Sequence, residues 1–227
     1  MLHVRDFTGA VLTFPGQHAR SWACDPFDAI ARRRGKPAKS VLFEEGAPAD
    51  CIVRLVTGAV LLSKSLTDGR RQVIGIAMPG DFLGLFMADA HGFTATALTT
   101  VEFCRFDRKQ FFALVDENPR LGRQLFSATT NQLTLAQEHM VLLGRRNAEE
   151  KVASFLLRLR DQWARVRTAS ARVDLPLTRQ DIGDYLGLTL ETVSRVVSRL
   201  ARRKLIAVIP DGVRILDLEA LDELSGT

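Results

Sequence analysis

The sequence predicts an α+β protein: a β-rich region first, then a long helix, then a small helical region that includes a β-hairpin. Three observations support this order. Between residues 40 and 107, short apolar runs alternate with turn residues at the spacing, roughly every 8–12 residues, that is typical of β-sandwiches and barrels. Asn118 and Pro119 then open a long periodic segment. Finally, residues 178–204 contain two capped helical patterns, and a hairpin pattern follows them.

The composition is that of an ordinary globular protein. The 227 residues are 46% hydrophobic and 25% charged. A formal net charge of +5 favours a polyanionic partner only weakly. The sequence contains no apolar stretch of about 18 residues and no signal-like N-terminus, so we expect a cytoplasmic protein with no membrane partner.

The cysteines and histidines do not form a recognisable metal-binding or disulfide pattern. They lack the paired spacing that a zinc ribbon or a disulfide framework requires. We therefore predict no metal site and three reduced thiols. The residues concerned are Cys24, Cys51, Cys104, His3, His18, His91 and His139.

The β-rich region is predicted from apolar runs that end at glycines. The glycines at positions 46, 58, 69 and 80 suit turns that need a positive φ. Upstream, a helix is expected over residues 25–33, with the basic run 32–36 as its solvated end; a DNA-binding arm is the alternative for that run. The predicted strands cover residues 41–43, 51–56, 59–65, 72–78, 95–100 and 101–106.

The long helix is predicted over residues 119–143 and carries two apolar faces. Its first face consists of two series with a spacing of seven, as in a coiled-coil seam: Phe126, Leu133, Met140 and Thr129, Ala136, Leu143. Its second face comprises Leu121, Ala128, Leu135 and Leu142. Because two apolar faces need two partners, a dimer seam with a second copy is predicted; a helix packed only on the chain's own β region is the alternative. The predicted dimer contacts are Phe126, Leu133, Ala136, Met140 and Leu143.

These patterns divide the chain into three parts. We predict a β domain over 1–117, a dimerisation helix over 118–146 and a DNA-binding domain over 147–227. The third part begins with an amphipathic helix at 148–166 and a polar loop at 168–174. It ends with a hairpin (205–209 and 213–216) and a short helix, 218–224, which Asp217 caps.

Residues 178–204 carry the pattern of a helix-turn-helix. Thr178 and Asp181 resemble a capping box for a helix at 179–186, and Gly187 suits the left-handed residue that ends it. Thr189 is a good N-cap for the next helix. Two helices joined by a short turn with glycine are typical of this DNA-binding motif, and the hairpin that follows resembles a wing.

The second helix of this motif has an apolar side and a polar side. Val193, Val196, Val197 and Leu200 recur at i, i+3, i+4 and i+7, as core residues do. On the other side we predict base contacts by Glu191, Ser194 and Arg195, since Arg can grip guanine, Glu can accept from cytosine, and Ser suits several bases. Glu191 and Arg195 could instead form a simple surface ion pair. Predicted contacts to the DNA backbone are Thr178, Thr189, Thr192, Ser198, Arg199 and Arg202.

The stretch 181–195, DIGDYLGLTLETVSR, resembles the helix-turn-helix of the CRP/FNR family of bacterial transcription regulators, close to its FNR and FixK branch. Upstream, FEEG at 43–46, VTG at 56–58 and PGDFLG at 79–84 are similar to the family's β-roll. The resemblance implies an N-terminal β-roll (a cyclic-nucleotide-binding-like jelly roll), a dimerisation helix and a C-terminal winged helix-turn-helix. It further implies a homodimeric activator of microaerobic, respiratory or nitrogen-oxide genes that contacts RNA polymerase and recognises a TTGAT-N4-ATCAA-like palindrome. Arg195 and Glu191 would address the G·C pair, and Ser194 a thymine.

The same resemblance bears on effectors. Cyclic-AMP binders of the family follow the Gly-Asp-Phe turn with Gly-Glu and carry Arg-Ser in the next strand; here Leu85 follows Gly84, and residues 92–96 are GFTAT. An iron–sulfur cluster needs four thiolates, whereas the chain has three cysteines. We therefore expect no cofactor and a FixK-type regulator controlled by its amount. A haem-gated regulator of nitric oxide or redox response remains the alternative. No catalytic motif is found, so we do not expect an enzyme.

Overall fold

The computed structural model describes residues 26–85, 89–166 and 171–226. The chain forms two compact units, Met1–Leu133 and Thr134–Thr227. The division lies inside the long helix, which therefore contributes residues to both units. Each unit has its own buried apolar residues.

The first unit contains eight described strands and two helices. A 3-10 turn, Pro26–Ala29, precedes them. The strands are β1 Arg32–Lys36, β2 Val41–Phe43, β3 Cys51–Thr57, β4 Val60–Ser65, β5 Arg71–Ala77, β6 Phe82–Leu83, β7 Thr94–Ala97 and β8 Val101–Asp107. The helices are α1 Arg108–Glu117 and α2 Pro119–Arg145, and α2 continues into the second unit.

Two antiparallel sheets form the β-roll. Their strand orders are β1-β8-β3-β6 and β2-β7-β4-β5. Leu55 of β3, Leu62 of β4 and Ala95 of β7 belong to one buried cluster, so the sheets pack face to face. The predicted turn glycines all have positive φ, between 80° and 97°. The predicted β-roll is thus confirmed.

A second cluster of aromatic residues lies on the other face of the first sheet. Phe27 stacks on Phe111 of α1 with ring centroids 4.6 Å apart. Leu121 and Ala128 of α2 belong to the same buried cluster. Helix α1 and the first half of α2 therefore cover this face of the sheet. Helix α1 was not predicted from the sequence.

The helix expected at 25–33 is wrong. Residues 26–29 form a 3-10 turn, and the basic run is strand β1, which pairs antiparallel with β8 in a register that sets Arg32 opposite Arg105. The open edge of β8 supplies backbone hydrogen bonds to this segment, and these outweigh its local preference for a helix. The cationic side chains are exposed on this edge strand, where charge discourages pairing with another chain.

The second unit is a helical domain with a small sheet. Its elements after α2 are α3 Ala148–Val166, β9 Arg172–Asp174, α4 Arg179–Leu186, α5 Leu190–Arg202, β10 Ile206–Ile209, β11 Gly212–Ile215 and α6 Leu218–Ser225. The predicted helices and hairpin are confirmed to within a residue or two. The sheet order is β10-β11-β9.

The polar loop expected at 168–174 is only partly correct. Residues 172–174 form strand β9, which pairs antiparallel with β11, while residues 167–170 lie outside the described part of the chain. Val173 of β9 is fully buried. The indole N–H of Trp163 donates to the carbonyl of Asp174 at 2.9 Å and ties this strand to α3. One buried valine among polar residues was too weak a signal to predict a strand.

Helix α2 has the two predicted apolar faces. Leu121, Ala128 and Leu142 are buried within their own units. By contrast, Phe126, Leu133 and Met140 are 75%, 59% and 63% exposed. Ala136 of this predicted seam is exposed as well. Leu143 differs, because it is half-buried and lies close to Gly187.

Residues 26–85, 89–166 and 171–226 contain neither a membrane-spanning helix nor a cluster of metal ligands. None of the helices there has both the length and the apolar content of a membrane span. In the same part of the chain, no three His, Cys, Asp or Glu side chains cluster as metal ligands would. Cys24, His3 and His18 lie outside the described residues.

His139 of α2 makes the stability of the second unit sensitive to acid. Its ring packs on that of Tyr185, with centroids 4.4 Å apart. Burial, aided by the charges of Arg158 and Lys151, lowers the pKa of His139 to about 4. Below about pH 6.5 the unfolded chain binds a proton that the folded chain does not, so stability falls as the pH drops from about 6.5 to 4.

We expect this histidine to account for about 2 kcal/mol of that loss, since its ring is not completely buried. The measurement is the free energy of unfolding by urea across this pH range, for the native chain and for His139→Gln. The variant should show a flatter profile. Parallel profiles would mean that His139 is protonated in the folded chain as easily as in the unfolded chain.

Candidate nucleic-acid interface

A capping box begins helix α4. The amide of Asp181 donates to the Thr178 hydroxyl oxygen at 3.0 Å, and the amide of Thr178 donates to the Asp181 carboxylate at 2.9 Å. The helix ends at Gly187, whose φ of 64° is the left-handed conformation. Both ends of α4 therefore follow the sequence prediction, with aspartate in place of the usual glutamate or glutamine.

Gly183 sets how closely the turn approaches α4. A Cβ at this position would lie 2.6 Å from the carbonyl oxygen of Leu188, a distance that real contacts do not allow. The amide of Leu188 also donates to the Gly183 carbonyl at 3.0 Å. Gly183 was not among the predicted functional residues, although a glycine in the middle of a helical pattern is a signal for a close backbone contact.

Helix α5 is anchored by its apolar side. Thr189 caps it, accepting a hydrogen bond from the amide of Thr192 at 3.2 Å. The predicted inward residues are all buried: Val193, Val196, Val197 and Leu200. This anchoring leaves the opposite side of the helix at the surface.

The predicted base-reading residues lie on that opposite side. Glu191 and Arg195 are exposed, and Ser194 is half-buried. The guanidinium of Arg195 donates to the hydroxyl of Thr192 at 3.3 Å. This contact holds the guanidinium near the N-terminal turns of α5, where helix-turn-helix proteins contact bases.

Glu191 is an acceptor at neutral pH. Its own backbone N–H and the Thr189 hydroxyl lower the pKa of its carboxyl group, and the charge of Arg195 contributes least to the shift. An ionised carboxylate only accepts hydrogen bonds, which matches the exocyclic amine of cytosine. The Arg195 guanidinium is engaged with the Thr192 hydroxyl, and a surface ion pair with Glu191 stays an alternative.

The residues predicted to contact the DNA backbone differ in whether their polar groups already bind other groups of the protein. Ser198 and Arg202 are exposed. The hydroxyl of Thr178 donates to Asp181 at 2.7 Å within the capping box, so its single proton is already in use. Arg199 is paired with Glu149. The Thr189 and Thr192 hydroxyl oxygens lie 3.0 Å apart.

Leu190 is an exposed apolar residue that was not among the predicted DNA contacts. It is the first residue of α5 and is 41% exposed, directly before Glu191. An apolar side chain at this end of a recognition helix suits the methyl group of thymine. The signal that could have identified Leu190 is an apolar residue beside Glu191 that does not belong to the buried series of this helix.

The hairpin of β10 and β11 forms a wing beside this motif. Val208 pairs with Val213, and Asp211 makes the turn with a φ of 58°. Val208 and Arg214 are exposed. The unit therefore presents a recognition helix and a wing, as winged helix-turn-helix domains do.

A β-roll, a long helix and a winged helix-turn-helix with a polar recognition helix define a DNA-binding transcription regulator. Residues 150–224 match the model of the Crp-like helix-turn-helix domain, and residues 33–118 match that of the cyclic nucleotide-binding domain. The chain belongs to the Crp/FNR family of transcription regulators, as the sequence predicts.

Several relatives belong to the FixK and FNR branch of this family. The chain is 44% identical to the transcriptional activatory protein AadR of Rhodopseudomonas palustris, over 88% of this chain and 84% of that protein. It is 41% identical, with the same coverage, to the nitrogen fixation regulation protein FixK of Bradyrhizobium diazoefficiens. The solved structure of FixK2 from Bradyrhizobium japonicum aligns with a TM-score of 0.80 and 34% identity, over 87% of this chain and 98% of that chain.

Proposed function

We propose that this regulator binds, as a homodimer, a palindrome of the type TTGAT-N4-ATCAA and activates transcription from it. The polar face of α5 carries the proposal: Glu191, Ser194 and Arg195 lie together at the surface, above a fully buried apolar face. In this assignment Arg195 and Glu191 recognise the G·C pair, and Ser194 recognises a neighbouring thymine.

Dimerisation is supported by the exposed apolar series on α2. Isolated large apolar side chains are common on protein surfaces, but Phe126, Leu133 and Met140 recur every seven residues on one helix. A second copy of the chain is the partner that would cover them. In a symmetric dimer the two recognition helices would bind half-sites about one helical turn apart.

The physiological role follows the relatives. AadR is a transcriptional activatory protein, and FixK regulates nitrogen fixation. We propose that this chain is an activator too, that its targets are genes of microaerobic respiration or nitrogen-oxide metabolism, and that RNA polymerase is its partner at the promoter.

The test is a gel shift with purified, metal-free protein on a TTGAT-N4-ATCAA duplex and on a scrambled duplex of the same composition. We expect clear preference for the palindrome and one protein dimer per duplex. If the protein bound both duplexes equally, with and without added haem, the proposed FNR-type binding site would be wrong.

We further propose that DNA binding requires no cyclic nucleotide. In the region where cyclic-AMP binders carry Arg-Ser, Phe93 before β7 is fully buried, and the hydroxyl of Thr94 in β7 accepts from the Glu45 amide at 3.0 Å. Arg54 is buried in this unit, but its guanidinium lies 2.8 Å from the carboxylate of Asp28, which neutralises its charge. A cyclic phosphate would find no counter-charge in either place.

Two measurements distinguish the ligand-gated alternatives. Thermal unfolding with cyclic AMP should give the same midpoint as unfolding without it, because a ligand that binds the folded state raises the midpoint. An absorption spectrum tests for haem, for which His3, His18, His91 or a cysteine is a candidate axial ligand. A nucleotide-dependent rise in the midpoint, or a haem band in the purified protein, would favour gating by a ligand.

A further inference from the structure

Glu149 lies between two arginines at the C-terminal end of the recognition helix, Arg199 in its last turn and Arg203 at its C-cap. It belongs to the first turn of α3, and one carboxylate oxygen forms an ion pair with Arg199. The other oxygen lies 3.4 Å from a terminal nitrogen of Arg203. The Glu149 side chain is only 19% exposed, while both arginines remain about half exposed.

The N-terminus of α3 does not depend on this carboxylate for its capping. The Asn147 side chain accepts from the amides of Glu149 and Glu150, at 2.9 and 3.1 Å, and so caps the helix. Glu150 in turn accepts from the amide of Asn147 at 3.0 Å. The cap of α3 is therefore complete without the Glu149 side chain, which is turned toward α5.

The carboxylate also faces the surface assigned to DNA. A cleft of about 480 Å³ is lined by Glu149 together with Thr192, Arg195 and Arg199 of α5. A phosphate that approached Arg199 would thus come close to a negative charge. Two arginines at i and i+4 repel each other, and the shared carboxylate reduces that repulsion.

We propose that Glu149 weakens sequence-independent binding to the DNA backbone by neutralising Arg199 and Arg203. The proposal rests on the assignment of α5 as the DNA-binding helix. Phosphate contacts add affinity without sequence information, and each neutralised phosphate contributes to the salt dependence of binding. A carboxylate among these arginines therefore lowers affinity for every sequence by a similar factor and shortens the time spent at incorrect sites.

The experiment compares the native chain with Glu149→Gln on the palindromic and scrambled duplexes over a range of salt concentrations. We expect the variant to bind both duplexes roughly threefold to tenfold more tightly at low salt. The slope of log affinity against log salt should become steeper by about 2 for a dimer, one charge per subunit. The preference for the palindrome should not change.

Matched variants separate charge from other effects. Glu219→Gln removes the same charge from an exposed position on α6 and should leave the slope unchanged. Glu149→Asp keeps the charge and should keep the native slope. Glu149→Ala suits the helix and should repeat the result of Glu149→Gln. Thermal midpoints report whether each variant is folded.

An unchanged slope in both uncharged variants, or weaker binding to both duplexes, would overturn the proposal. Weaker binding would mean that Glu149 instead holds the arginines in place for phosphates. Failure of the native chain to prefer the palindrome would count against the proposed binding site, while the slopes on the scrambled duplex would still test Glu149.

Discussion

Replacing Arg195 with alanine is expected to cost about 1–3 kcal/mol of affinity for the palindrome per half-site and to abolish preference at one base pair. The guanidinium is exposed on the polar side of α5 and is held by the hydroxyl of Thr192. A bidentate contact to guanine is the strongest single discrimination that this face could make. With two subunits, the loss on the full palindrome would exceed that on any single half-site.

The measurement is a set of binding curves on the palindrome and on duplexes with each alternative at the G·C pair. Arg202→Ala is the matched control, because it removes the same charge from an exposed residue in the last turn of the helix. The control should weaken binding to all duplexes alike and reduce the salt slope by about 1 per subunit. If Arg195→Ala behaved as the control does, Arg195 would contact phosphate and not a base.

Replacing Leu133 with glutamate should separate the dimer and reduce affinity for the palindrome by at least about a hundredfold. The native side chain is 59% exposed in the single chain, and burying a leucine is worth about 2 kcal/mol per copy. The variant would bring two carboxylates together in an apolar seam. Without the dimer, each half-site binds independently and the gain from linking two sites is lost.

The control places the same charge on the same helix outside the seam. Ser127 is exposed and follows Phe126 by one residue, about 100° around the helix. Ser127→Glu should therefore remain dimeric and bind the palindrome normally. Sedimentation analysis of both variants checks the oligomeric state, and a dimeric Leu133→Glu would show that this face of α2 is not the subunit interface.

The helix-turn-helix could be predicted almost to the residue because its signals are local. Thr178, Asp181, Gly187 and Thr189 each form a capping interaction with atoms a few residues away. Their roles therefore do not depend on the rest of the fold. The two faces of α5 could be predicted equally well, because its apolar residues recur every three or four positions.

Features that depend on distant parts of the chain could not be predicted in this way. Strand β1 exists because β8 presents an open edge to it, and its arginines gave no strand signal. Strand β9 depends on β11 about forty residues later. The pairing of Glu149 with Arg199 likewise joins residues 50 positions apart, and no pattern in either segment indicates the other.

The division of α5 into two faces has a consequence for how such a protein can diverge. Val193, Val196, Val197 and Leu200 hold the helix in place, whereas Glu191, Ser194 and Arg195 take no part in the buried core. Substitutions at the outer positions should therefore change the preferred operator at little cost in stability. By contrast, Gly183 leaves no space for a Cβ, and Gly187 has a positive φ of 64° that residues with side chains rarely adopt. Single substitutions on the outer face of α5 can thus give new binding specificities while the fold of the domain stays the same.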